Sequence, residues 1–343
     1  MAKHTSEQKR KIRRRRLAIA LLITAGFVAG CQASYYGQAI NGHTEIWWKK
    51  RPAKALIADP DTDEELRAKL ELVGEMLEFA EKELYLPYDG NYTSYADLER
   101  EYVVWSVFAA PELEVDPVSW TYPVLGDLDY RGYYKEEAAQ KFGDGLREDG
   151  LDVAVVGVPA YSTLGWFRDP LLNTFIDYDE DDLASLIFHE LSHKKYYRHG
   201  DTEFSEAFAV AVENEGVRRW LKSRGDTEGL AKFEKGIRKV DDFVQMLLDG
   251  RAELDSVFTS DLSDEEKRVQ KAEILARLQK KVRDTLRAAG REPEDTFWLR
   301  DDINNAHLNI IATYYLKVPE FEQVLRDCGG DLELFYQTVE AMP

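Results

Sequence analysis

The chain has 343 residues, 44% of them apolar and 32% charged, which is ample for a large core and excludes wholesale disorder. Its formal charge of −19 is uneven: residues 1–30 hold eight basic residues against the single acid Glu7, so residues 31–343 carry −26. That surplus repels nucleic acid and anionic membrane surfaces, so no nucleic-acid partner is expected.

The basic stretch ends at Arg16 and an apolar run, Leu17 to Gly30, comes next. The run is short for a membrane-spanning helix and matches a signal peptide over residues 1–30. It closes on Val28-Ala29-Gly30-Cys31, which resembles the bacterial lipobox, in which the cysteine is lipidated and begins the mature chain. Gln32 rather than Asp then implies the periplasmic face of the outer membrane, if the source is a Gram-negative bacterium. With Cys31 lipidated, Cys328 has no disulfide partner and reads as a small apolar residue.

The mature chain, 31–343, is expected to form one catalytic domain. Residues from Tyr35 to Arg51 predict a helix docked on the body, because Trp47 and Trp48 need burial; His43 packs or caps there. A second helix covers about 62–83, with Leu66, Leu70, Val73 and Leu77 in a helical stripe. Residues 88–170 predict a small mixed sheet, with strands near 103–108, 120–124 and 152–158 and a helix at 134–148. The segment through Gly157–Gly165 reads either as an edge strand that receives an extended peptide or as a buried strand followed by a turn. From residue 180 the chain reads as nearly all helix. Glu180, Asp181 and Asp182 suit a first turn. Further helices are expected near 201–222, 263–289, 303–316, 319–327 and 331–340. The fold class is α+β, a sheet-rich part followed by a helical part.

The first of those late helices carries His189-Glu190-Leu191-Ser192-His193. Residues four apart share a helix face, so His189 and His193 can hold one metal ion, with Glu190 as the base beside an open coordination position. Such a motif arises by chance on the order of once per hundred chains of this kind. Glu203, Glu206 and Glu213 come after it on the next helix, and helical rise alone does not choose a third ligand among them. Two imidazoles and a carboxylate describe a one-zinc hydrolase with peptide substrates. Tyr161, Tyr314 and Tyr315 are candidates for holding the oxyanion, with Tyr161 placed first; His199 reads as a loop residue.

Ser205-Glu206-Ala207-Phe208-Ala209 with Glu213 resembles the N-E-G-F-A…E segment of zinc aminopeptidases. That resemblance implies Glu206 as the third ligand and Glu213 as support behind the ligands or at the substrate amine. The chain as a whole resembles the bacterial putative-aminopeptidase lipoproteins of the gluzincin class. The resemblance rests on Tyr35-Tyr36-Gly37-Gln38-Ala39, Ala109-Ala110-Pro111-Glu112-Leu113, Tyr130-Arg131-Gly132-Tyr133, Gly157 to Phe167, the metal motif and Asn304-Asn305-Ala306. It implies a zincin-like fold and a zinc aminopeptidase anchored to the membrane through Cys31. Ser205 departs from the Asn of the related enzymes, and no G-x-M-E-N-like segment is present. An envelope endopeptidase or assembly factor is the competing reading, and a zinc-stabilised scaffold the third.

Overall fold

The computed structural model describes residues 35–122, 126–160, 163, 167–291 and 303–343; the expected signal peptide at 1–30, Cys31 and Tyr161 lie outside the described residues. The chain divides into two units, Met1–Trp48 and Lys49–Pro343. In the first unit the described part is helix α1, which spans 35–49 and so ends just past the boundary. The helix is there, but the expected burial of its tryptophans is not: Trp47 is 54% exposed and Trp48 is 75% exposed.

The second unit begins with β1 (Arg51–Pro52), α2 (Ala53–Ala58) and α3 (Glu64–Glu83). Asp63 caps α3 by accepting from the amides of Glu65 and Leu66, and Leu70, Val73, Met76 and Leu77 form its buried stripe. Then come β2 (Ser94–Ala96), β3 (Val104–Pro111), β4 (Trp120–Tyr122), β5 (Gly126–Leu128), β6 (Arg131–Tyr133), α4 (Glu136–Glu148), β7 (Leu151–Val158) and β8 (Leu171–Leu172).

These strands make three small sheets rather than the single mixed sheet expected from sequence. The order β6-β3-β7 is antiparallel throughout, β4 and β5 form a hairpin, and only β1-β2-β8 mixes directions. The short strands carry too few residues to advertise their pairing in sequence. Among the described residues β7 lies at the edge of its sheet and ends at Val158; residues 161–162 and 164–165 of the segment through Gly157–Gly165 lie outside the described residues.

The helical part runs α5 (Glu180–Lys195), α6 (Thr202–Ser223), α7 (Thr227–Phe258), α8 (Asp264–Ala288), α9 (Asn305–Tyr315), α10 (Val318–Asp327) and α11 (Leu332–Glu340). α7, the longest, is an addition to the helices expected from sequence. α6 is buried on most of its surface, which explains its run of small and aromatic residues from Phe204 to Val212. Phe208 stacks on Phe335 with centroids 5.9 Å apart and meets Phe321 and Tyr336 edge-on. At Gly216 a Cβ would come within 2.8 Å of the Phe188 ring, so α6 approaches α5 at this point only because glycine is there.

One polar cluster ties α8 and α9 to the sheet. The buried Lys271 ammonium donates to Asp152 (2.6 Å) and to the Glu112 carbonyl (2.7 Å). The backbone amide of Asn305 also donates to Asp152, and its side-chain amide donates to the carbonyls of Pro111, Glu112 and Glu114.

Candidate functional site

α5 and α6 are antiparallel neighbours joined by a short loop, and the site lies between them. Asp201 caps α6 by accepting from the Phe204 amide at 3.0 Å. Ser205, where the related enzymes have Asn, turns back on the loop: its hydroxyl accepts from the Arg198 amide at 3.1 Å and lies 3.0 Å from the Asp201 carbonyl. The Arg198 guanidinium lies over the Phe204 ring and donates to the carbonyls of Met342 and Pro343. The loop that sets the phase of α6 against α5 is therefore held from both sides.

That phase brings His189, His193 and Glu206 together, with one ligand atom from each within 4.8 Å of the others. Both imidazoles face the carboxylate through Nε2: Glu206 Oε2 is 3.2 Å from that of His189 and 3.4 Å from that of His193. Glu213, two turns along α6, reaches the far side of the first ring, its Oε2 lying 2.6 Å from His189 Nδ1. Its other oxygen accepts from Ser185 at 3.1 Å. Glu213 thus stands behind the ligand, with both oxygens engaged. Glu203 and His199 are outside the donor group. Asp179, Asp181 and Asp182 form another carboxylate cluster, at the start of α5, where they serve the helix terminus.

The arrangement suits a cation. His193 and Glu206 are buried, and two carboxylates flank His189. Burial pushes the Glu206 carboxyl upward, but the neighbouring His193 and His189 outweigh it and bring the group down to about 2. Burial works against a charged His189, yet its bonds to Glu206 and Glu213 win and hold the imidazole well above its ordinary range. Without a metal, a proton on His189 balances the carboxylates. Two neutral imidazole Nε2 atoms and a carboxylate are the donor set of an open zinc site, and a carboxylate on the other ring nitrogen is the usual support for such a ligand. The Glu190 carboxyl is raised, chiefly by burial, and its Oε2 is buried without a hydrogen-bond partner. A buried base with an acceptor that no described residue occupies, beside such a donor set, is what hydrolysis requires.

Among the described residues, five tyrosines lie around this centre. The Tyr314 ring stacks on His189 with centroids 6.3 Å apart, and Tyr197 meets His193 edge-on at 5.7 Å. Tyr130 comes just after the β4–β5 hairpin, whose Gly126 rests against the backbone of Gly200 in the α5–α6 loop. Burial, and then the charges of Glu206 and Glu190, keep the phenols of Tyr130 and Tyr314 far above their ordinary range, so both remain donors. Tyr92 is raised by burial, Glu190 and Asp169. Tyr315 faces the Glu213 side, and burial followed by the Glu213 charge raises its phenol beyond titration at working pH.

Asp169 joins two loops beside Glu190. Its amide donates to Asn91 Oδ1, its carbonyl accepts from the Tyr92 amide, and its carboxylate accepts from the Thr163 amide at 2.9 Å. Tyr85, Asp89 and Tyr92 in the first of these loops have positive φ, a strained backbone for such residues. Lys194 secures the loop through an ion pair with Asp89 at 2.7 Å. Sequence reasoning missed Tyr92, Asp169 and Tyr197. Tyr130 lies in a segment that carried the family resemblance, and an aromatic just after a hairpin was the only signal of its role.

No curated protein and no solved structure matches the chain. The family model described as Putative aminopeptidase matches residues 34–343, nearly all of the chain beyond the signal-like segment and the whole of the centre between α5 and α6. A donor group of this kind, carried by a chain matched over that length, places this protein in the putative aminopeptidase family.

Proposed function

We propose that the protein is a zinc aminopeptidase of the bacterial envelope, attached to lipid through Cys31 and hydrolysing N-terminal peptide bonds. The observation that carries this reading is the convergence of His189, His193 and Glu206 next to the unpartnered buried oxygen of Glu190. Zinc, when bound by the two histidines and Glu206, supplies Lewis acidity that acidifies water and polarises the scissile carbonyl. Glu190 takes the proton from the attacking water and returns it to the leaving amine. The phenols of Tyr314 and Tyr130 donate to the oxyanion as it develops. Glu213 holds the His189 ring in the tautomer that presents Nε2. Among the described residues β7 pairs on one side only, and its other edge offers an extended peptide backbone partners.

One observation favours the endopeptidase reading instead. Glu213, the residue implied for the substrate amine, already bonds His189 and Ser185. Exo-specificity would then need another carboxylate.

The test is hydrolysis of a panel of free and N-acetylated peptides, with zinc content measured, beside Glu190→Gln. Turnover confined to free N-termini, lost by about 10²-fold or more in the variant while zinc stays, supports the aminopeptidase. Cleavage of blocked peptides moves the assignment to an endopeptidase. Bound zinc without turnover on any substrate sinks both and favours a scaffold.

A further inference from the structure

We infer that the face of α1 that carries Tyr36, Ile40 and Trp47 lies on the lipid surface, with Trp47 and Trp48 seated in the interfacial layer. The inference rests on the membrane attachment proposed above and is independent of the peptidase chemistry.

Of the eleven large apolar side chains that are exposed among the described residues, four belong to this one helix: Tyr36, Ile40, Trp47 and Trp48. On a helical projection Tyr36, Ile40 and Trp47 fall within about 40° of one another, and Trp48 lies about a quarter-turn round. The two indoles touch edge-on, with centroids 5.3 Å apart. Exposed indoles in such a row are costly in water and favourable at the headgroup level of a bilayer, where the ring is buried and its N–H stays wet.

The chain that precedes the helix identifies the occupant. Either the apolar run Leu17–Gly30 stays in the membrane or it is removed and acyl chains on Cys31 replace it. In both cases the chain leaves lipid just before residue 35, so the helix begins within about 14 Å of the bilayer. The contact is apolar rather than ionic. Of the three cations just after the tryptophans, Lys49 pairs with Glu99 at 3.0 Å, Arg51 pairs with Asp59 at 3.1 Å, and the charge of Lys50 acts on Asp169. Neutral lipid therefore suffices, and the strong negative charge of the rest of the chain does not forbid it.

The full chain would be reconstituted on phosphatidylcholine vesicles carrying brominated acyl chains, floated to establish attachment, and its tryptophan emission compared with that of Trp47→Phe/Trp48→Phe. The sequence has no tryptophan before Trp47, so the anchor contributes no signal. Bromine quenching in the wild type is expected to exceed that of the double variant by at least about twofold and to persist in high salt. Peptide hydrolysis in solution should be equal in the two proteins, which shows that the fold is kept. Flotation with equal quenching overturns the docked helix and leaves the attachment reading standing. A chain that does not float overturns both, and neither outcome bears on whether the protein is a peptidase.

Discussion

His189 is gripped on both ring nitrogens, by Glu206 on one side and by Glu213 on the other. Glu213→Gln removes the charge that fixes the ring while leaving all three ligands in place. Zinc affinity, measured by competition with a chromophoric chelator, should fall about 10–100-fold. An unchanged affinity would mean that Glu213 serves the substrate instead. Asp169 offers a separate test. Burial raises its carboxyl from 3.8 to about 6, against the lowering effect of the bond from Thr163. A raised folded pKa means that the group costs stability above about pH 6 and that the cost disappears as pH falls below about 4. Asp169→Asn should therefore be the more stable protein at about pH 8, by up to about 2–3 kcal/mol, and that advantage should vanish near pH 4. Paired denaturant melts across this range would show it, and a constant difference would refute it.

The helices that form the site owe their meeting to a small residue. Gly216 lies one turn beyond Glu213, where α6 touches Phe188 of α5. Gly216→Ala forces the Phe188 ring to shift and should cost about 1–3 kcal/mol by denaturant titration, even though alanine is the better helix former. If the approach also sets the ligand spacing, zinc affinity should fall in the same variant. Much of this is legible in the sequence. The histidine helix, its partner from Asp201 and the four helices after residue 260 announce themselves through caps and a 3.6-residue pattern. Strands of two or three residues, such as β1, β2 and β8, carry no such pattern. The end of α6 near residue 222 is legible, whereas α7 is not singled out as an element of its own, because it continues the same charged helical composition after a break of only three residues. Tyr92 and Asp169 are illegible for another reason: their roles depend on two loops, far apart in sequence, meeting beside Glu190. The exposure of Trp47 and Trp48 runs against the ordinary rule for indoles, and that failure is itself informative.

Within the unit Lys49–Pro343, metal binding at the site is expected to be coupled to folding. Zinc bound only by the folded chain should raise the melting temperature in proportion to the logarithm of its concentration, and chelation should reverse the rise. Calorimetry with and without a chelator would test this, and a melting point indifferent to zinc would remove the metal from the account. The Lys271–Asp152 contact links α8 to the sheet at 2.6 Å. Lys271→Met leaves Asp152 without its cation and should cost about 3–5 kcal/mol, with the sheet and α7–α8 still melting together. Two separate transitions would show that the arm is an independent foldon.

That contact also bears on survival. Endoproteases cut extended chain, and a long charged helical arm such as α7–α8 becomes open to them if it frays. Asp152 and the carbonyl of Glu112 hold α8 from its buried side, so the arm cannot open without stripping a partner from a buried ammonium. The resistance of this arm to foreign proteases should then depend on one lysine, far from the active centre in the sequence.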